Sequence, residues 1–162
     1  MKKLSIITVT LNAEKMILKT LENIKEIKNL YGDEIEYLVI DGKSSDRTLE
    51  FLYKYYKEKV IDYYVSEKDK GIYDAMNKGI RASSGEYVLI LGAGDVFIPS
   101  KMAKVLDKIK IYNPDIIYGD NVIVNLDTKK ISRLYSSGKF NVLKIKTFGW
   151  LPPHTSIIAK KN

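Results

Sequence analysis

The stretch Ser66–Asp95 reads SEKDKGIYDAMNKGIRASSGEYVLILGAGD. A charged loop leads into a short helix over Gly71–Arg81, a Ser-Ser-Gly turn ends it, and an apolar strand over Tyr87–Leu91 follows. The strand runs into a Gly-rich loop that closes on a single carboxylate, Asp95. Open α/β sheets bind ligands in the crevice outside the carboxyl ends of their strands, so this loop is expected at a binding edge.

Upstream, the same alternation repeats. Leu4–Thr10 (LSIITVT) is a continuous β-branched apolar run, the pattern of a strand buried on both faces of a parallel sheet. Asn12 then stands as a helix cap, and Ile17, Leu21, Ile24 and Ile27 recur at helical spacing up to about Asn29. Gly32-Asp33 turns the chain into a second buried strand, Ile35–Ile40, that ends at Asp41. Ser44/Ser45-Asp46 opens the next helix, with Leu49, Leu52 and Tyr53 inward, and Ile61–Val65 is a third short strand. Downstream, Lys101–Tyr112 is a helix stopped by Asn113-Pro114. Strand-helix alternation at this spacing predicts right-handed βαβ units in a parallel sheet with helices on both faces.

After Asp115 the rhythm changes. Ile116–Tyr118, Val122–Asn125 and Ile131–Tyr135 are strand candidates separated by the turns Gly119-Asp120 and Asp127-Thr128, which predicts antiparallel pieces. Phe140–Phe148 reads as a short helix or loop, Pro152-Pro153 as extended chain, and Ser156–Ala159 as one more strand. Neither an internal repeat nor a linker interrupts residues 1–162, so a single domain is expected.

The 162 residues are 45% hydrophobic and 29% charged, enough for one sizeable core. With no cysteine, disulfides and thiolate metal sites are excluded. No apolar run has the length of a membrane span and no signal peptide is recognisable, so a cytoplasmic location is expected. The net charge of +7 is uneven: residues 1–120 carry 19 Lys/Arg and 19 Asp/Glu, whereas 121–162 carry 8 basic residues and one acid, Asp127. A basic segment of this kind suits phosphate, a lipid headgroup or nucleic acid, or else serves as a solvated face. No nucleic-acid recognition motif accompanies the charge, so nucleic acid is not expected as a partner.

Several residues at the predicted strand ends carry chemistry. Thr8, Thr10 and Asn12 close strand one, where small polar side chains let a flat ring or ribose lie against the backbone, or else extend a β-branched core. Asp41 follows four apolar residues and has Gly42 beside it for close approach, so its carboxylate can accept from a nucleobase N–H or a ribose hydroxyl. Asp46 has the simpler reading of a charge at a helix N-terminus. Gly92-Ala93-Gly94 lacks the Lys-Ser/Thr of a P-loop and does not open the first βα turn, which argues against an NTPase or a dehydrogenase.

Taken together, SIITVTLNAE, VIDGKSSDRT, EKDKGIYDAMNKGIRASSGEYVLILGAGD and the later YGD…PPHTS resemble the family 2 glycosyltransferases of the GT-A fold, the bacterial polysaccharide-building type. The resemblance covers nearly the whole chain, with its blocks in the family's order and spacing. It implies a three-layer, Rossmann-like α/β fold with a mainly parallel sheet and a small antiparallel part after residue 115. It also implies inverting transfer of a sugar from a nucleoside diphosphate, UDP in particular, to a hydroxyl of a saccharide or lipid-linked acceptor, with Mg²⁺ or Mn²⁺ on the diphosphate. Residues 1–95 would form the donor half and 96–162 part of the acceptor half.

Carried over by position, Thr8, Thr10 and Asn12 would lie along the nucleoside, Asp41 would hold the base, and Asp69 would help to enclose the nucleotide. Asn77 and Lys78 would meet the donor sugar or phosphates. The loop Gly92–Asp95 corresponds to the family's metal motif, in which an Asp-Asp pair is common; here Gly94 replaces the first, leaving Asp95 as the carboxylate ligand. His154, the one histidine, falls where the resemblance places a residue near metal and phosphates. Asp120 would face the acceptor, as a weak candidate for the base, or is a plain turn residue. In the family the base follows the His-containing strand, so it is expected beyond Asn162, and the chain reads as a fragment or shortened member. The alternative is a nucleotide-sugar binding module without the base. The basic residues between 129 and 161 suit peripheral contact with the inner face of a membrane.

Overall fold

The runs richest in branched apolar residues become the centre of the sheet. In the computed structural model, which describes residues 2–125, 128–138, 146–147 and 152–161, β1 (Leu4–Thr10) is buried along its whole length. It lies between β2 (Ile35–Asp41) and β4 (Tyr87–Gly92), parallel to both. β3 (Tyr63–Ser66) adds a parallel edge beyond β2. On the other side β8 (Ile157–Lys160) enters antiparallel between β4 and β5 (Ile116–Tyr118), giving the order β3-β2-β1-β4-β8-β5. β6 (Asn121–Val124) and β7 (Ile131–Tyr135) form a separate antiparallel hairpin.

Because successive side chains of a strand alternate between faces, β1 feeds two cores. Leu4 and Ile6 pack under α1 (Ile17–Tyr31), α2 (Thr48–Lys57) and α4 (Pro99–Tyr112), meeting Ile17, Leu21, Ile24, Leu52, Tyr55 and Met102. Ile7 and Val9 point the other way, into a smaller core with Leu38, Ile40 and Ala75 under α3 (Ile72–Ala82). α3 lies so close to the sheet that a Cβ on Gly79 would fall 2.4 Å from Ile7 Cγ2. The result is a three-layer α/β/α fold with a mainly parallel sheet, as the sequence predicts.

Several local expectations are corrected. Tyr53 is 55% exposed and Tyr55 is buried in its place, since the inward stripe of α2 runs through Thr48, Leu52 and Tyr55. That helix starts at Thr48, later than Ser44, because the preceding polar side chains serve other groups. Asn12 does not cap α1, which begins at Ile17; it adopts φ +49° and its side-chain oxygen accepts from Ser45 N–H at 2.9 Å. The strand expected over Val122–Asn125 is Asn121–Val124, and that over Ser156–Ala159 is Ile157–Lys160. Of Phe140–Phe148, only Lys146 and Thr147 are among the described residues, in helical conformation.

Candidate functional site

Strand register gathers polar groups at one edge. Thr10 is paired with Asp41, Asp41 with Ser66, and Val9 with Gly92. Neighbouring strands lie about 4.8 Å apart, so Ser66, Asp41, Thr10 and Gly92 form a row across four parallel strand ends.

Asp41 is fully buried, with no cation against it in any bond described. Its charge is met by dipoles instead: Oδ2 accepts from Ser44 N–H at 2.8 Å and from the Ser66 hydroxyl at 2.6 Å, and Oδ1 accepts from the Ser44 hydroxyl at 2.5 Å. A buried carboxylate is tolerated when its lone pairs are filled this way. Ser44 in turn accepts from Asn12 N–H at 2.8 Å, linking the ends of β1 and β2. Asp69, in the loop after β3, closes on the same spot, with Oδ1 accepting from Gly71 N–H at 2.9 Å and Oδ2 filling the space beside Gly42.

Thr10 stands apart from this web. It is 7% exposed, and its hydroxyl is the one buried side-chain polar atom without a hydrogen-bond partner among the described residues. Such an atom costs stability unless something else satisfies it.

Asp95 lies at the same edge and is exposed. Its Oδ2 accepts from Gly92 N–H at 3.0 Å, folding the carboxylate back over the end of β4. The loop is anchored on α1, where the Thr20 hydroxyl donates to Asp95 C=O and accepts from Gly94 N–H, and Asn23 bonds both backbone groups of Phe97. Sequence reasoning missed Thr20, Asn23, Ser44 and Ser66. The available signal was Thr20, a hydroxyl residue within the apolar stripe Ile17, Leu21, Ile24, Ile27.

The antiparallel course of β8 brings the opposite wall to this edge. With Leu89 paired to Ile158, the chain preceding Ile157 runs alongside the carboxyl end of β4, and exposed His154 sits there in a 3₁₀ turn, His154–Ser156. Gly119 N–H donates to Ser156 C=O at 3.1 Å, and Asn121 Nδ2 donates to Thr155 Oγ1 at 2.6 Å. Asp120 is therefore beside the His154 turn, but its Oδ1 accepts from the N–H and hydroxyl of Ser137 at 2.8 and 2.9 Å. Those bonds, the backbone N–H first, hold its carboxyl below the usual range. Asp120 thus anchors its turn to Ser137, in keeping with the plain turn reading of that residue.

Two other expectations separate from the cluster. Thr8 is fully buried and its hydroxyl accepts from Tyr37 Oη at 3.0 Å, so it is sealed in the core away from any ligand. Lys78 is drawn sideways into ion pairs with Glu67 at 2.8 Å and Asp74 at 3.5 Å, and the bond to Glu67 leads in raising its pKa. It lines a groove between α3 and β3 with Tyr63, Val65 and Arg81, and Asn77 beside it is exposed.

The donor set decides what cation the edge suits. Among the described residues no three His, Cys, Asp or Glu side chains converge as a self-sufficient metal site. One exposed carboxylate, Asp95, fits a Mg²⁺ or Mn²⁺ that is shared with a ligand's phosphates, since such ions take one or two carboxylates and keep the remaining positions for phosphate and water.

An open, mainly parallel sheet with its polar groups gathered at the carboxyl edge is the architecture of nucleotide-binding α/β proteins. Residues 5–161 match the family described as Glycosyl transferase family 2, and the chain belongs to that family. It is 38% identical over 96 residues to a dolichyl N-acetyl-alpha-D-glucosaminyl phosphate 3-beta-D-2,3-diacetamido-2,3-dideoxy-beta-D-glucuronosyltransferase of Methanococcus voltae, covering 57% of this chain and 29% of that protein. It is 33% identical over 124 residues to a PGL/p-HBAD biosynthesis glycosyltransferase of Mycobacterium bovis, covering 74% and 46%. The chain thus spans less than half the length of either relative. In shape it resembles S. aureus TarS 1-349, with TM-score 0.69 at 20% identity over 98% of this chain and 47% of that one. The same protein in complex with UDP-GlcNAc matches at TM-score 0.61 and 25% identity, over 70% and 33%. A Pyrobaculum calidifontis mannosyltransferase in complex with GDP-Man and Mn²⁺ matches at TM-score 0.64 and 21% identity, over 76% and 36%. These neighbours identify the fold as GT-A.

Proposed function

We propose that this chain binds a nucleoside-diphosphate sugar, with UDP as the nucleotide, for transfer of the sugar with inversion to a hydroxyl of a saccharide or lipid-linked acceptor in cell-surface polysaccharide assembly. Residues 1–95 form the donor half in this reading and residues after 95 contribute to the acceptor side. The observation that carries it is the row of polar groups in register at the carboxyl edge of the sheet, Ser66, Asp41, Thr10 and Gly92, with Asp69 and Asp95 in the loops beside it. In this reading a nucleoside lies against that edge, with Asn12 and Asp69 closing around it and Asp41 setting the floor. The UDP-GlcNAc bound by TarS supports a uridine donor. The dolichyl phosphate in the name of the Methanococcus relative supports a lipid-linked acceptor.

In this reading Asp95 holds Mg²⁺ or Mn²⁺, and His154, in the turn before β8 at the same edge, lies near the metal and phosphates. The ion would offset the charge of the departing diphosphate. An inverting transfer also needs a carboxylate to take the acceptor proton, and Asp120, with one oxygen engaged by Ser137, is a weak candidate for it. The second reading is a nucleotide-sugar binding module that does not transfer; sugar transfer or donor hydrolysis by the 162-residue chain would sink it.

Calorimetry with UDP and UDP-GlcNAc, with and without Mn²⁺, tests the donor reading. Tight binding that depends on metal and is weakened by Asp95→Ala is expected. No UDP binding, or binding indifferent to metal and substitution, would overturn it. No helix among the described residues is long and apolar enough to cross a membrane. Exposed Lys129, Lys130 and Arg133 on and beside the β6–β7 hairpin support peripheral contact with an anionic membrane face on the cytoplasmic side. Sedimentation with anionic against neutral vesicles tests that contact, and equal partition into both would remove it.

A further inference from the structure

We propose that Thr20, on α1, is the positioning residue for Asp95, so that a helix side chain joins the loop's own turn, closed by Asp95 N–H donating to Gly92 C=O at 3.0 Å, in fixing where the cation-binding carboxylate stands. The inference rests on the donor reading above. Thr20 is fully buried within the inward stripe of α1, between Ile17 and Leu21 on one side and Ile24 on the other. Core packing alone asks for no hydroxyl there, because valine fills the same volume without burying a polar group.

The hydroxyl is used twice. It donates to Asp95 C=O at 2.7 Å and accepts from Gly94 N–H at 2.9 Å, so a single atom ties down both ends of the Gly94-Asp95 dipeptide. Three residues along the same helix face, Asn23 repeats the device: its Nδ2 donates to Phe97 C=O at 2.9 Å and its Oδ1 accepts from Phe97 N–H at 2.8 Å. The segment 94–97 thus hangs from two consecutive points on α1, although Asp95 and Val96 are themselves exposed. Between the anchors Gly94 takes φ +98°, a conformation other residues rarely adopt. With the backbone held on both sides, the Asp95 carboxylate accepts from Gly92 N–H, its one bond among the described residues.

The test compares Thr20→Val, which keeps volume and removes both bonds, with Thr20→Ser, which keeps them. Amide hydrogen exchange at Gly92 in the ligand-free protein reads the Asp95 carboxylate directly. We expect Thr20→Val to speed Gly92 exchange about tenfold, the factor for losing a typical hydrogen bond, and Thr20→Ser to leave it near wild type. UDP titrations should show the Mn²⁺-dependent gain in affinity reduced by a similar factor in Thr20→Val, with affinity in EDTA unchanged. Asn23→Ala, on the half-buried flank of α1, should move Gly92 exchange in the same direction and serves if Thr20→Val does not fold. Wild-type Gly92 exchange in the folded variants overturns the proposal. So does an equal loss of UDP affinity with Mn²⁺ and with EDTA, which marks a merely structural role. Failure of the wild-type chain to bind UDP removes the donor reading, and Gly92 exchange then decides the positioning role alone.

Discussion

Gly42 and Asp69 compete for one space: a Cβ on Gly42 would fall 2.7 Å from Asp69 Oδ2. The loop after β2 and the loop after β3 therefore close on each other only because residue 42 has no side chain. Gly42 has no positive φ, so alanine is tolerated by the backbone and acts through Asp69 alone. Gly42→Ala is expected to shift stability by less than about 1 kcal/mol while weakening UDP binding several-fold. Calorimetry on the variant checks this, and undiminished affinity would show that Asp69 does not enclose the nucleotide.

Thr10 offers the opposite separation of stability from binding. Its hydroxyl is buried with no partner, so Thr10→Val removes a group that already costs stability. The variant should be as stable as the parent or more stable by up to about 1 kcal/mol in urea melts, and should bind UDP more weakly. If both stability and affinity fall together, the hydroxyl serves packing and the nucleoside lies elsewhere.

Restoring an acid pair at the cation loop is expected to fail. Gly94 has φ +98°, and a Cβ there would approach Met16 Cβ to 3.3 Å. Gly94→Asp should lower stability by about 1–3 kcal/mol without increasing the Mn²⁺ dependence of UDP binding. Parallel melts and Mn²⁺ titrations distinguish this from a gain of function, in which metal affinity would rise.

At the far edge of the sheet, Glu36 predicts a pH dependence. Burial pushes its carboxyl up, but hydrogen bonds from the Ser5 hydroxyl and then from the backbone and hydroxyl of Ser84 outweigh this and hold it below the ordinary 4.5. As pH falls the unfolded chain takes up the proton first. The stabilisation is complete above pH 4.5 and is lost as pH drops through the folded-state value. Glu36→Gln should flatten stability against pH in that acid range and leave the slope at neutral pH unchanged. Urea melts between pH 7 and the acid limit check it.

The sheet was legible because strands buried on both faces read as near-continuous apolar and β-branched runs, as LSIITVT and most of IEYLVID do. The carboxyl edge was legible for the same reason, since a polar side chain after such a run marks the strand end. Side-chain direction was harder. Thr8 and Thr10 look equivalent in sequence, yet Tyr37 claims the first and nothing among the described residues claims the second. Lys78 read as a phosphate ligand because its two acidic neighbours, one on another element and one a helical turn away, compete for it only after folding. Tyr53 and Tyr55 lie on different faces of one helix, and the stripe that packs on the sheet runs through Thr48, Leu52 and Tyr55. Thr20 stood out only as a hydroxyl within an apolar stripe, and the roles of Thr20 and Asn23 were hidden because their partners, Gly94 to Phe97, lie more than seventy residues away in the chain.

The antiparallel insertion of β8 bears on how the protein assembles. β4 pairs with β1 across 83 residues, Leu4 to Tyr87, and β8 pairs with β4 across 69, Leu89 to Ile158, so both walls of the edge rest on long-range pairing. Closure entropy grows only slowly with loop length, so neither pairing has a head start over the other. The wall that bears Asp95 and the wall that bears His154 are expected to form together. Pulse-labelled hydrogen exchange should find β4 and β8 amides protected in one phase; protection of β1 and β4 well before β8 would show that the two walls assemble separately.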